Sequence, residues 1–276
     1  MKEKLNYLNV GCGNKYHKDW INIDMVSNSR DVIKCNLLKG IPFPDEKFEI
    51  LYHSQVLEHF PKENAFDFMK ECYRVLKKNG TIRVVVPDLE NIVNEYKKYL
   101  DENLNNPNEL SQANYDWILL EMYDQTVRNY TGGQMAKFLQ QDKIVNEKYI
   151  VDRIGYIGSS NINKVKIGKI ELIKKNIKAL GLLGFLVRVF GFIKSMFLNI
   201  LLGKKYKIGS FRLGGEIHAW LYDKYSLSRL LKDVGFSDIK IKNAFESDIP
   251  NWNSYELDVK GELVHDPTSL FIEAKK

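Results

Sequence analysis

Leu8-Asn9-Val10-Gly11-Cys12-Gly13, with Trp20-Ile21-Asn22-Ile23-Asp24 close behind it, is the stretch whose reading decides the fold. Leu5 to Val10 is a short apolar run that stops at a glycine turn, the pattern of a strand entering a tight bend. Glycines there open dihedrals closed to other residues and let a ligand approach the backbone. Trp20 to Asp24 is a second short strand ending in a carboxylate, which can accept hydrogen bonds from both hydroxyls of a ribose. A lone G-x-G says little, whereas one after the first strand with an acid after the second says much more. The competing reading makes Gly11 and Gly13 plain turn residues and Asp24 a surface carboxylate. Only ten residues separate Gly13 from Asp24, too few for a helix and a return loop. The first helix is therefore expected to shrink to a turn.

Outward from this stretch the pattern alternates. Val32 to Cys35 and Phe48 to His53 read as strands three and four. Pro61-Lys62-Glu63 opens a helix whose apolar positions include Phe66, Met69, Cys72, Val75 and Leu76, and Asn79-Gly80 is expected to end it. Ile82 to Val86 is a β-branched strand closed by Pro87-Asp88. Such alternation argues for a parallel sheet covered by helices. From Leu89 to about Gly203 the pattern turns almost wholly helical, with loops expected at Asn105-Asn106-Pro107 and Ile157-Gly158-Ser159-Ser160. A helix around Ser226 to Val234, a strand Ile239 to Ile241 and a terminal strand Thr268 to Ala274 follow. The expected organisation is a core over 1–90, a helical cap over 91–215 that receives substrate, and completion of the sheet over 216–276.

Composition narrows the setting. The 276 residues suffice for one sizeable core with an elaboration. Cys12, Cys35 and Cys72 fit no disulfide or zinc framework, and the N-terminus lacks the apolar stretch of a signal peptide, so a cytoplasmic protein is expected. The net charge of +6 is uneven, because 163–208 holds eleven basic residues and one acid, Glu171. Within it, Ala179 to Gly203 is strongly apolar but carries Arg188 and Lys194, which argues against a membrane span. Two readings stand for 164–207: a cap helix buried on the core or a partner, or an interfacial helix that makes the protein peripheral at the inner face of the membrane. Aromatic and basic residues are not interleaved as nucleic-acid stacking platforms require, so nucleic acid is not expected as a partner.

LNVGCG…INID, CNLLKGIPFPDEKFEILYHSQVLEHF and ECYRVLKKNGTIRVVVPD, taken in order, resemble the class I S-adenosylmethionine-dependent methyltransferases, in particular those with an L-E-H signature after strand four. The resemblance implies an α/β fold, a Rossmann-like seven-stranded mixed sheet with flanking helices, here with a large helical insertion. It also implies S-adenosylmethionine as cofactor. Gly11, Cys12 and Gly13 would wrap its methionine part and Asp24 its ribose. Asn36-Leu37 would stand at the adenine, where such enzymes more often have Asp-Leu, and His53 and Ser54 would lie beneath the sulfonium. The shortened first helix suits this ligand better than a dinucleotide, whose pyrophosphate needs a helix start. The loop Asn14-Lys15-Tyr16-His17-Lys18 is expected to close over the cofactor instead.

Methyl transfer to a hydroxyl needs alignment and removal of a proton. Candidate bases are His59, Asp88 and His218. His59 reads more readily as a residue closing its loop, and Asp88 equally as a helix cap. Some relatives use Glu-x-x-Glu-His to hold a divalent metal. Here Gln55 replaces the first acid and is a poor Mg²⁺ ligand, so no metal is expected. Gly214 to Asp223 packs His218, Trp220 and Tyr222 beside a glycine pair, which suits a sugar or ring substrate as well as it suits an anchored loop. Arg128 to Gln134 is a second substrate element on the same footing, and Gln55 a further contact. The Glu216-to-Asp223 run and the terminal Pro267-to-Ala274 run look like methyltransferases of surface-polysaccharide and glycan assembly, which points to O-methylation of a glycan or lipid-linked glycan. The alternatives are a small apolar, quinone-like acceptor and a non-catalytic cofactor-binding or membrane-associated scaffold.

Overall fold

The computed structural model describes residues 6–27, 29–164, 191 and 201–276. Its main sheet contains β1 (Tyr7–Val10), β2 (Ile21–Asp24), β3 (Val32–Lys34), β4 (Phe48–Ser54), β5 (Leu76–Pro87), β6 (Ser237–Lys242) and β9 (Ser269–Lys275). The order is β3-β2-β1-β4-β5-β9-β6. The first five strands run parallel, with Leu8 opposite Ile21 on one side and Leu51 on the other. β9 is antiparallel to both β5 and β6. This is a seven-stranded mixed, Rossmann-like sheet.

Strand alternation gives each face its own core. On the first face Leu8, Val10, Ile23, Leu51, Val84, Val86 and Ile272 pack against α1 (Lys62–Val75) through Phe68, Met69 and Cys72. Leu227 and Leu231 of α6 (Lys224–Val234) complete that layer. The second face is covered differently. No helix forms between β1 and β2, and Trp20 folds onto Tyr7 and Tyr52 instead. Residues 244–259 lie over the same face with Ala244, Ile249, Trp252, Leu257 and Val259. A small hairpin, β7 (Val259–Lys260) with β8 (Leu263–Val264), closes this segment.

The second layer is pinned through Arg83, which is fully buried in β5. Its guanidinium donates to Asp258 at 2.7 Å, Glu273 at 2.8 Å and the carbonyls of Asn243 and Glu246. It also lies over the Trp252 ring, 4.7 Å from its centroid. Tyr52 donates to the other oxygen of Asp258 at 2.6 Å. Every charge in the network has a partner, which makes burial of three ions tolerable.

The helical insertion leaves the sheet at the carboxyl end of β5. It comprises α2 (Leu89–Asn105), α3 (Glu109–Val127), α4 (Gly133–Phe138) and α5 (Glu147–Lys164), and residues 201–212 are also helical. Two expected boundaries are corrected. α1 stops at Val75 rather than Asn79-Gly80, because Leu76 is already extended and pairs with Phe48; Asn79 instead makes a left-handed kink inside β5. The break expected at 157–160 falls at Gly155, whose φ of +63° lets the chain pass where a Cβ would lie 2.4 Å from Pro267. Most of 179–203 lies outside the described residues. Among the described residues no helix is long and apolar enough to cross a membrane.

Arg83→Ala is expected to lower stability by about 3–5 kcal/mol, since it leaves Asp258 and Glu273 buried without their cation. Urea unfolding followed by far-ultraviolet circular dichroism measures it, and a loss below about 1 kcal/mol would refute the assigned role.

Candidate active site

The carboxyl ends of β1, β2 and β4 open onto a cleft of about 410 Å³. Gly11 and Gly13 both turn with positive φ on its floor. The Gly11 amide donates to the Ile23 carbonyl at 2.8 Å, which ties the turn to β2. A Cβ on Gly11 would lie 2.4 Å from Val56, whereas one on Gly13 would point into open space. Asp24 stands at the edge of the cleft, partly exposed, and accepts from the Gly13 amide and the Val26 amide, each at 2.8 Å. Two amides leave carboxylate lone pairs free for hydroxyls of a ligand.

The walls are apolar. Met25, Val26, Leu38 and Leu213 expose 45, 61, 67 and 89% of their surfaces around the opening. Leu37, Val56, His59, Phe60 and the Gly214-Gly215 pair complete the lining. Four exposed apolar side chains converging on one cleft suit a flat aromatic ring. Glycine floor, free carboxylate edge and apolar walls thus fit the methionine, ribose and adenine of S-adenosylmethionine.

The other expected cofactor residues fall elsewhere. Cys12 is buried, and burial pushes its thiol up to about 12, so it is a packing residue. Asn36 is exposed and its side chain caps the short turn Leu37–Lys39 by accepting from the Leu38 amide at 3.0 Å. His53 is fully buried on the α1 side, edge-on to Phe68 at 5.3 Å, with burial holding its imidazole down at about 3. Ser54 is buried and lines no cavity of the site. The loop 14–18 packs on the opposite face. Asn9 and Asn22 hold its carbonyls, Lys15 pairs with Asp266 at 2.8 Å, and His17 meets Tyr255.

Gln55 lies where the cofactor cleft meets a second cavity of about 230 Å³ and lines both. Its φ of +57° is a left-handed conformation costly for such a side chain, and it is held by its amide on Val85 and its Nε2 on Ser269. The second cavity is mixed, with Glu121, Gln125, Arg153, His218, Asp266, Thr268 and Ser269 set among Pro87, Ile92, Met135, Ile154 and Leu221. Glu121 and Arg153 form a buried pair, with Arg153 Nε 2.8 and 2.9 Å from the two carboxylate oxygens. The sequence reading missed this pair. Glu121 faces the cavity from a helix whose apolar periodicity is weak, so periodicity carries no signal for it.

His218 is brought to the site by backbone pairing. Residues 216–222 return from the insertion, with the His218 amide donating to Gln125 and the Ala219 and Trp220 amides to the Glu58 carbonyl. The Ile217 carbonyl holds His59 Nδ1 at 2.9 Å. The two imidazoles meet at right angles, 5.0 Å between centroids. Burial holds His218 down at about 3, lowers His59 as well, and pushes the wholly buried Glu58 up to about 8. Neither Glu58 oxygen has a hydrogen-bond partner. Glu58 was read only as part of a motif, since the three-residue spacing pointed to Gln55 and not to His218, 160 positions away.

Four expected substrate residues and one expected base are differently employed. Asp88 caps α2 by accepting from the Glu90 amide at 3.0 Å. Arg128 donates to the Glu216 carbonyl at 2.8 Å, and Gln134 is exposed with its amide on Asp124, so their loop is held by its own acids. Trp220 lies beneath Lys62 and, with the buried Tyr222, lines a separate small pocket.

Residues 8–84 match the family model described as methyltransferase domain. The matched span runs from β1 into β5. S-adenosylmethionine is the cofactor of such domains. Over 131 residues the chain is 23% identical to the phosphoethanolamine N-methyltransferase of Plasmodium falciparum, covering 45% of this chain and 46% of that enzyme, so the match spans less than half of that relative. Among solved structures, a SAM-dependent methyltransferase from Archaeoglobus fulgidus aligns over 100% of this chain and 87% of its own, at 13% identity and a TM-score of 0.39. A possible histamine N-methyltransferase from Thermotoga maritima covers 98% and 82%, at 10% identity and a TM-score of 0.38.

Asp24→Ala is expected to weaken S-adenosylhomocysteine binding at least ~10-fold, the loss of a charged hydrogen bond of roughly 1.5–3 kcal/mol. Calorimetric titration measures it, and an unchanged dissociation constant would remove Asp24 from the cofactor site.

Proposed function

We propose that this methyltransferase O-methylates a hydroxyl of a sugar unit in a glycan or lipid-linked glycan, held in the cavity behind Gln55. The observation that carries the reading is the shared wall at Gln55, which sets a small cavity with several hydrogen-bonding side chains directly against the cofactor cleft. When bound, S-adenosylmethionine supplies a methyl group on a sulfonium sulfur. The chain's task is then to place an acceptor oxygen at the junction and to deal with its proton.

The lining supports a hydroxylated acceptor. Gln125, Asp266, Thr268 and Ser269 offer hydrogen-bond partners around its circumference. A quinone-like ring accepts hydrogen bonds but offers no donor to Asp266, whereas a sugar hydroxyl does both. His218 reaches the same cavity while His59 reaches the cofactor cleft, so the two imidazoles stand on either side of the reaction point. Burial lowers both imidazoles, which favours the uncharged form that can accept a proton.

Purified protein incubated with S-adenosylmethionine and a panel of nucleotide sugars, oligosaccharides and lipid-linked sugars is expected to methylate a member of the panel, read by mass spectrometry. His218→Ala is expected to keep S-adenosylhomocysteine binding and to lose about 10²-fold or more in turnover, the scale of a lost acid–base group. Methylation confined to amines or quinones would overturn the acceptor class. Unchanged turnover in the variant would overturn the role of His218.

A further inference from the structure

We infer that Glu58, His59 and His218 form a binding site for one divalent first-row transition-metal ion at the junction of the cofactor cleft and the acceptor cavity. One carboxylate oxygen of Glu58 and one ring nitrogen from each histidine lie within 4.8 Å of one another. A single ion would draw the three atoms inward, since Zn²⁺-type ions hold nitrogen and oxygen ligands at about 2.0–2.2 Å.

The chemistry of the three groups points the same way. Glu58 is wholly buried, yet both its oxygens lack a hydrogen-bond donor. A carboxylate so placed needs a cation or a proton, and no hydrogen bond joins it to either neighbouring imidazole. Its remaining environment supplies little compensation, for Lys15 is engaged with Asp266 and Tyr222 presents an unpartnered hydroxyl. His59 Nδ1 is occupied by the Ile217 carbonyl, which fixes the ring and leaves Nε2 as the free nitrogen. A backbone carbonyl behind a ligating histidine is the usual outer support of a metal site. Two imidazoles and one carboxylate favour Mn²⁺, Fe²⁺, Co²⁺ or Zn²⁺ over Mg²⁺, which prefers oxygen ligands and bound water.

The expectation drawn from the Gln55-x-x-Glu58-His59 spacing, that no metal is held, counted Gln55 as the missing ligand. The third ligand comes instead from His218, on the segment returning from the insertion. Ion binding stands without the acceptor assignment. Its catalytic meaning rests on that assignment, because an ion at this junction would bind the acceptor hydroxyl and ease loss of its proton.

Untagged, chelator-treated protein titrated with Co²⁺ alone is expected to bind one equivalent, with visible ligand-field bands and a calorimetric transition. Glu58→Gln and His218→Asn are each expected to weaken that binding at least about tenfold, while S-adenosylhomocysteine binding reports that both variants are folded. Should one variant fail to fold, the other decides. Absence of Co²⁺, Mn²⁺ and Zn²⁺ binding to the wild type, or binding unchanged in a folded variant, would overturn the site. Metal binding without methylation of any hydroxylated acceptor would leave the site standing and overturn the acceptor reading instead.

Discussion

The buried guanidinium of Arg83 is the interaction on which the rest of the molecule depends. The ten residues between Gly13 and Asp24 cannot make a covering helix, so the second face of the sheet would lie bare around Tyr7, Ile50, Tyr52 and Phe271. Residues 244–259 cover it, but they are a largely irregular segment with backbone groups that need partners. Arg83 takes two of those carbonyls, from Asn243 and Glu246, and binds Asp258 and Glu273 as well. One planar cation with five donors thus fastens a loop layer to the strand it covers.

That arrangement frees the carboxyl edge of the sheet. With no first helix standing over the glycine turn, the cleft is bounded by Met25, Val26 and Leu38 on one side and by Leu213 to Gly215 on the other. The second boundary belongs to the insertion. Residues 216–222 then run back along the ends of β4 and β5, bonded to the Glu58 carbonyl and to Leu89. The same backbone ladder that closes the cleft therefore delivers His218 to Glu58 and His59. One returning segment thus both borders the cleft and carries His218.

Gln55 keeps a left-handed backbone, Glu58 keeps a buried carboxyl without a donor, and His218 stays neutral against two other titratable side chains. Elsewhere the buried charges are paired, as at Arg83 and at Arg153 with Glu121. Glu58 differs from these pairs in having no hydrogen-bond partner.

The seven strands, the glycine turn, Asp24 and the helical insertion were legible in the sequence, because apolar periodicity and glycine placement act over a few residues. His218 was legible as a dense cluster of functional side chains. Its companion Glu58 was not, since nothing local distinguishes a buried acid from a solvated one. His53 and Cys12 read as cofactor contacts by position in a motif, yet the pleat turns His53 into the α1 layer and burial keeps Cys12 as a thiol. Arg128, Gln134, Trp220 and Tyr222 have substrate-like chemistry that is spent on loop anchoring and core packing. The sequence by itself determined the sheet, the cofactor turn and the absence of a first helix, all consequences of short-range pattern and chain length. Only the tertiary structure decided what covers the second face, which cavity adjoins the cofactor and which acid meets the two histidines, because each depends on contacts between segments far apart in the chain.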